Sequence, residues 1–433
     1  MPHRATVLSR RLIKLLPVKK IEIRELIFMR QTVKLFLVSL FLTFSFSAFA
    51  SAQEKDILAE ANQLFTERKY AEAEQAYQNL LRQKIDEPTR AKIIFNLGLT
   101  YKQLKQYDKA VETFNRIFVM AVDDREAGGS IMQAYRNYRP SAQWEIGKIR
   151  FAKGDYEGAY TAFRTTEEKY PFQSWCGTCL AGYMHDYAMY QGISLEYLGR
   201  HREAVNVYWR IYDPRIAELY YGAGQLDDLK AILDKNEEAI ISEGMRKYAW
   251  TRAKASEYLP THALRQALEI YDLEKAGDWS GLLKAAVQPT QFRRGGRGNA
   301  AVEILARHPK EVLPLIKQGM SLANSRTTPF NLYYEILGLA ATDETVGYLK
   351  DLAAREQNWW QVAAMVKALS LAGEKGESAI RELEPNAAGN LKLAIERHKK
   401  GELDEPESEI KFPVLKVKEK LPLDLQMGKN SYY

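Results

Sequence analysis

Cysteine is almost absent from this chain of 433 residues: it has two, Cys176 and Cys179. Two thiols three positions apart have only each other to pair with, so no disulfide framework of the kind that staples small secreted domains is available. Histidine is scarce too, with six copies at positions 3, 185, 201, 262, 308 and 398. None has a spacing that gathers metal ligands on one helix face. The chain contains no Gly-Lys-Ser/Thr phosphate loop, no Gly-x-Ser-x-Gly elbow and no His-Glu-x-x-His pair. It also lacks any long window in which Val, Ile and Thr alternate with polar residues, so no sheet is expected. Read together, these absences point away from an enzyme and from any metal or cofactor.

One long apolar run is present, and it lies near the N-terminus. Met29-Arg30-Gln31-Thr32-Val33-Lys34 precedes an apolar stretch from Leu35 to Phe46, which ends in Ala48-Phe49-Ala50-Ser51-Ala52-Gln53. A basic segment, an apolar core and small residues at alternating positions are the three parts of a secretory signal peptide. The core is shorter than the roughly 20 apolar residues that cross a bilayer, which favours cleavage after Ala50 or Ala52 over a transmembrane anchor. Residues 1–28 then read as an over-extended start and 29–52 as the signal peptide. The expected location is the periplasm or cell envelope. No Cys follows the apolar core, so a lipid-anchored precursor is not expected.

Export changes the meaning of the charge. The chain carries 62 Lys or Arg and 55 Asp or Glu, but residues 1–52 hold nine of the basic residues and two of the acidic ones. The mature chain is left with 53 of each sign, so it has no overall field that would attract nucleic acid or an anionic membrane. After signal cleavage no stable membrane span is expected.

The strongest pattern in the sequence is a fourfold recurrence. A small residue is followed nine positions later by an aromatic or His, three further on by Ala, and four beyond that by a large aromatic. The sets are Ala61, Tyr70, Ala73, Tyr77; Gly98, Tyr107, Ala110, Phe114; Gly147, Tyr156, Ala159, Phe163; and Gly192, His201, Ala204, Tyr208. Steps of three and four lie on one face of an α-helix, and the small residue upstream falls on a preceding helix. Turns such as Lys153-Gly154-Asp155 and Leu198-Gly199-Arg200 separate the two. Each unit is therefore a helical hairpin, and the small residues let the paired helices approach closely while the aromatic fills the space beside the next hairpin. A fifth, degenerate copy runs through Ile216, Gly224, Leu226, Leu229 and Leu233.

This pattern resembles the tetratricopeptide repeat family, most clearly in Gly98-Leu99-Thr100-Tyr101 and Tyr107-Asp108-Lys109-Ala110, and the resemblance covers roughly residues 55–235. The intervals Tyr70–Tyr107, Tyr107–Tyr156 and Tyr156–His201 are 37, 49 and 45 positions, so the later junctions carry insertions. The resemblance implies a concave groove lined by the first helices of the hairpins, which takes an extended peptide or a partner's helix. Some family members clamp a C-terminal carboxylate with Asn and basic residues. Asn62 and Asn96 match the clamp asparagines, whereas Leu58, Ser141 and Glu145 stand where the basic partners would be, so the charged half of a clamp is absent. Lys92, Trp144 and Lys148 are expected on first helices near the same groove. For all five, an ordinary solvated or inter-helix role is the competing reading.

From about residue 255 helix pairs continue without the aromatic signature: 263–271 with 279–286, 300–306 with 310–320, 333–340 with 344–354, and 360–371 with 378–383. The turns at 337–343 and 369–374 resemble those of HEAT-like repeats. The expected fold class is all-α, an α-solenoid of tetratricopeptide hairpins over 53–254 followed by HEAT-like pairs over 255–400. Residues 401–433 read either as a partly disordered tail or as an extended segment docked on this protein or a partner. The loop Arg293-Arg294-Gly295-Gly296-Arg297-Gly298-Asn299 precedes a predicted helix whose N-terminus could hold an anion, although an inter-repeat loop is the simpler reading.

Trp175-Cys176-Gly177-Thr178-Cys179 resembles the Trp-Cys-Gly-x-Cys site of the thioredoxin family over those five residues alone. That likeness implies a nucleophilic Cys176 and a resolving Cys179. No strand pattern precedes the motif, and a local disulfide or a buried thiol pair stiffening the junction is the first reading, ahead of redox exchange; metal binding is the least favoured, since His185 would give only three ligands. The overall reading is an exported, non-enzymatic scaffold for a protein or peptide partner, with an envelope complex as its expected setting; a thiol–disulfide factor is the second reading.

Overall fold

A computed structural model of the chain describes residues 58–426 apart from 131–132, 250, 258, 288–299, 322–328, 404–411 and 414–415. The signal-peptide reading of 29–52, the preface before it and the loop from Arg293 to Asn299 lie outside the described residues. The chain divides into two compact units, one ending at Lys105 and one beginning at Gln106.

The first unit contains α1 (Ala59–Thr66), α2 (Tyr70–Leu81) and α3 (Glu87–Gln103). Helices α1 and α2 form a hairpin whose contact face holds Ala61, Ala73 and Tyr77, all at most 1% exposed. Helix α3 begins at Asp86, whose carboxylate accepts the Thr89 N–H at 2.7 Å, with Pro88 in the first turn where its missing donor costs nothing. Its buried residues Ala91, Ile94, Gly98 and Tyr101 repeat at steps of three and four.

The second unit opens with α4 (Tyr107–Asn115) and a short antiparallel ribbon, β1 (Ala127–Ser130) and β2 (Gln133–Tyr135), with Ala127 opposite Tyr135. The ribbon sits in the insertion that lengthens the second repeat interval. Arg139 ties its base by donating to the carbonyls of Val122 and Met120 at 3.1 and 3.0 Å. Three hairpins follow: α5 (Tyr138–Ala152) with α6 (Tyr156–Glu168), α7 (Gly177–Tyr197) with α8 (His201–Trp209), and α9 (Arg215–Gly222) with α10 (Leu226–Tyr248). The last pair is the degenerate fifth copy, with Ile216, Leu229 and Leu233 fully buried.

Two features show why these sequences close as hairpins. Two positions before each second helix the backbone is left-handed, with φ of 60° at Arg68, 58° at Lys105, 77° at Gly154, 72° at Gly199 and 68° at Gly224. Glycine takes that conformation without strain in the last three, while the first two impose it on long side chains. In the third and fourth sets the small residue meets the terminal aromatic of its own hairpin. A Cβ built on Gly147 would lie 2.5 Å from the Phe163 ring, and one on Gly192 would lie 2.2 Å from the Tyr208 ring. These aromatics pack inside their own hairpin, and the Phe163 ring also lies 5.2 Å from that of Tyr190 on the next one, the side that the sequence pattern suggested.

Paired helices continue as α11 (Arg252–Glu257), α12 (His262–Ala276), α13 (Trp279–Val287), α14 (Ala300–Arg307), α15 (Pro309–Ser321), α16 (Phe330–Ala340), α17 (Asp343–Arg355), α18 (Trp359–Leu371), α19 (Glu374–Leu383) and α20 (Gly389–Lys399). The fold is all-α apart from the ribbon. At the turn into α17, Ala341 is left-handed and Thr342 and Thr345 form a reciprocal capping box. Gly338 brings α16 against α18, since a Cβ there would lie 2.1 Å from the carbonyl oxygen of Ala368. One buried cluster takes in residues on both sides of residue 255, from Phe151 to Leu233 and from Leu264 to Leu425.

That cluster includes the C-terminal segment. Leu421 and Leu425 are 2% and 8% exposed within the second unit's core, though both lie beyond the last helix.

Candidate functional site

The two asparagines of the proposed groove are bonded to each other. Asn62 on α1 accepts at its Oδ1 from the Tyr77 hydroxyl at 2.7 Å and from Asn96 Nδ2 on α3 at 3.0 Å. Tyr77 is 1% exposed, and burial pushes its hydroxyl up to about 12, so it remains a neutral donor. This three-residue relay ties α1, α2 and α3 together. It uses one acceptor of Asn62 and one donor group of Asn96, and both residues remain half-buried. Lys92 lies one turn before Asn96 on α3 and is also half-buried, which places the two side by side on one helix face.

Trp144 and Lys148 occupy one face of α5 in the second unit. The Trp144 ring makes edge contacts with Phe163 and Tyr190, both at 4.8 Å between centroids, and with Tyr187 at 5.9 Å. It is a half-buried member of an aromatic cluster held between α5, α6 and α7. Lys148 Nζ lies 3.0 Å from the Glu145 carboxylate one turn away, and Glu145 is 9% exposed. A ligand meeting Lys148 would meet that ion pair, not a bare cation.

Cys176 and Cys179 stand as half-buried thiols not joined to each other, the reduced form of the pair that the sequence allows to close as a disulfide. Cys176 is the N-cap of α7, and its sulfur accepts the Cys179 N–H at 3.4 Å. Hydrogen bonding from Cys179, by its thiol and then its backbone amide, holds the Cys176 thiol below its ordinary range. Trp175 beside it is 56% exposed. The helix-start position is the one the thioredoxin likeness implies, and the preceding residues are irregular, with no strand among the described residues there. Among the described residues no group of three or more His, Cys, Asp or Glu could hold a metal ion. No described helix is long and apolar enough to cross a membrane.

A third constellation was not singled out from the sequence. Arg215, 7% exposed at the start of α9, donates through Nε to Oε1 and Oε2 of Glu196 on α7, at 3.1 and 3.0 Å, and through Nη2 to Oε2 at 2.7 Å. Tyr208 donates to the same carboxylate at 2.7 Å, and Glu218 lies against the other Arg215 nitrogen. Burial opposes the Arg215 charge, but the two carboxylates outweigh it and its pKa is raised.

This buried network faces the C-terminal segment. Arg215 Nη2 also donates to the carbonyl of Pro413 at 3.0 Å, and its guanidinium lies 5.0 Å from the Phe412 ring centroid. Further along, Asn236 Nδ2 donates to the Leu425 carbonyl at 3.0 Å and Trp209 Nε1 to that of Gln426 at 3.3 Å. Tyr220 donates to the carbonyl of Pro422, and the Leu421 N–H donates to Gln225 Oε1 at 2.7 Å. Of the two readings of the tail, docking on this protein describes these residues. The alternation in 412–418 was the sequence signal for it, but no local pattern marks the surface that receives it.

A tetratricopeptide repeat family model matches residues 58–118, which takes in the first hairpin and α3 with α4. Neither the comparison with curated proteins nor that with solved structures returned a match. Hairpins α5–α6 and α7–α8 carry in sequence the same small-residue, turn and aromatic positions as the matched ones.

Proposed function

We propose that this protein is an exported scaffold that binds a protein or peptide partner through the first helices of its tetratricopeptide hairpins. Helical repeats of this kind mediate protein–protein interaction, and the match over residues 58–118 is the observation that carries the reading. The mechanism is recognition without chemistry: many small contacts give affinity, and the insertions between hairpins supply specificity. Asn96 and Lys92 on α3, with Asn62 on α1, offer amide and ammonium groups for the backbone of an extended ligand. Trp144 and Lys148 on α5 offer an aromatic edge and an ion pair. The leader-like segment from Met29 to Ala52 supports delivery to the periplasm or cell envelope, and the helix pairs beyond residue 255 extend the array in a HEAT-like manner.

Cross-linking the chain from Gln53 to Tyr433 in envelope extract tests this reading. A specific partner is expected, lost in Asn62→Ala/Asn96→Ala and kept in Cys176→Ser/Cys179→Ser. Capture that is indifferent to the asparagines would refute the groove assignment. Mass spectrometry of the purified mature chain should place its N-terminus at Ser51 or Gln53.

The position of Cys176 supports a second reading, a thiol–disulfide factor. In that role the Cys176 thiolate attacks a client disulfide, forming a mixed disulfide and releasing a client thiolate. Cys179 then attacks Cys176, leaving the client as a dithiol and this chain oxidised. Reductant-sensitive capture of many clients, abolished by the cysteine substitutions, would favour it.

A further inference from the structure

The way the C-terminal segment is held differs from the way the helices pack. Its carbonyls at Pro413, Lys420, Pro422, Leu425 and Gln426 accept from side chains of the helical surface, in the first four cases Arg215, Arg202, Tyr220 and Asn236. Backbone carbonyls are common to every peptide, so this recognition depends little on sequence. Full burial of side chains is confined to a short stretch, with Phe412 and Val417 half-buried against the core. Leu421, Pro422 and Leu425 are buried, whereas Lys416, Lys418, Lys420, Leu423, Asp424 and Gln426 are exposed. Glu419, two positions before Leu421, accepts from the Arg202 N–H at 3.3 Å at the start of α8 and lies 3.7 Å from His201 Nδ1.

These are the features of a peptide site with its ligand in place: a row of donors for an extended backbone, two apolar sockets four residues apart, and a cationic helix start for a carboxylate. We propose that the surface of α8, α9 and α10 is a second recognition site, and that the segment 412–426 is a resident ligand which an incoming partner displaces. The partner is a protein presenting an extended segment with Leu-Pro-x-x-Leu and a carboxylate two positions before the first Leu. The balance of interactions makes displacement feasible. Ordering a stretch of this length costs conformational entropy that three buried side chains and a handful of hydrogen bonds only modestly exceed. Tethering keeps the tail in place by raising its local concentration above that of a free peptide. A partner that binds the vacated surface tightly therefore competes, and the tail sets a threshold against weak or incidental ligands.

The proposal rests on the scaffold reading but concerns a different surface from the one carrying Asn62 and Asn96. A fluorescein-labelled peptide with the sequence of residues 412–426, titrated by anisotropy, tests it. The chain from Gln53 to Tyr433 carrying Leu421→Asp/Leu425→Asp should bind the peptide about tenfold or more tightly than the unsubstituted chain, because its own tail no longer competes. Adding Tyr220→Phe and Asn236→Ala should reverse the gain. Hydrogen exchange of the unsubstituted chain gives an answer even where the aspartate variant does not fold. The Leu421 and Leu425 amides should exchange faster than those of α9 and α10, and faster again with excess unlabelled peptide. Equal protection of tail and helices, unaffected by peptide, would show a permanent strap and overturn the proposal. So would a dimer formed by exchange of tails that binds no peptide. Because the probe is the chain's own tail, a negative result leaves partner capture at the asparagine surface standing, and failure to capture a partner leaves this titration measurable.

Discussion

Asn96 donates its side-chain amide to Asn62 Oδ1 across 34 positions of sequence, at 3.0 Å, while the buried Tyr77 hydroxyl donates to the same oxygen. The residues read as ligand contacts are thus also the polar connection between three helices. Asn62→Ala leaves the Tyr77 hydroxyl without this acceptor in a site from which water is excluded, which costs about 1–3 kcal/mol. Asn96→Ala removes only the outer donor and should cost about 1 kcal/mol or less. The difference is read from the shift in urea midpoint. A partner-binding assay on these variants is interpretable at temperatures where both remain folded by circular dichroism.

The same tyrosine gives a pH dependence. Burial raises the Tyr77 hydroxyl from 10.0 to about 12 in the folded chain. A folded-state value above the unfolded one contributes stability that is present in full below pH 10 and lost as pH rises through about 12. The urea midpoint should fall over that window. Tyr77→Phe should fall less steeply across it, while starting lower at neutral pH because Asn62 has lost a donor.

The Arg215–Glu196 pair is buried on both sides, with side-chain exposures of 8% and 1%. Removing one member strands the other charge, so Arg215→Met should destabilise the chain by about 3–5 kcal/mol. The double variant Arg215→Met/Glu196→Met removes both charges and should recover much of that loss. Equal destabilisation in the single and double variants would assign the cost to shape instead of charge.

For Cys176, the hydrogen bonds from Cys179 favour the thiolate, so the pH midpoint of iodoacetamide alkylation should lie below the ordinary thiol value of 9.0. Cys179→Ala removes the first-ranking contribution, the neighbouring thiol, and keeps the backbone amide. Its midpoint should move up toward the ordinary value. An unchanged midpoint would mean that the helix start alone sets the reactivity.

Much of the fold was legible because helical hairpins of this pattern are specified locally. The spacing from Gly192 to His201, Ala204 and Tyr208 fixes a helix, a turn and a second helix without reference to the rest of the chain. The turn positions were readable at Gly154 and Gly199, and hidden at Arg68 and Lys105, where residues with side chains take the same left-handed conformation. Glycine is the usual marker of that backbone, but a repeat context can impose it on others. Contacts set by tertiary structure were not readable. Arg215 and Glu196 are 19 positions apart on different hairpins, and nothing local marks either as buried. The tail had an apolar alternation that allowed docking, yet its receiving surface draws on Arg202, Tyr220, Gln225 and Asn236 from three helices and a turn. The Asn62–Asn96 bond was hidden for the same reason: sequence placed both on first helices without showing that they meet.

The central claim is that partners bind on the first-helix face of the tetratricopeptide hairpins. A photo-activatable cross-linking residue placed singly at Lys92, at Lys148 and at the exposed Arg164 of the second helix α6 tests it most directly. Irradiation of each full-length mature chain in envelope extract should give the same discrete partner adduct from positions 92 and 148, and little or none from 164. Adducts of equal yield at all three positions, or a partner captured only from 164, would contradict it.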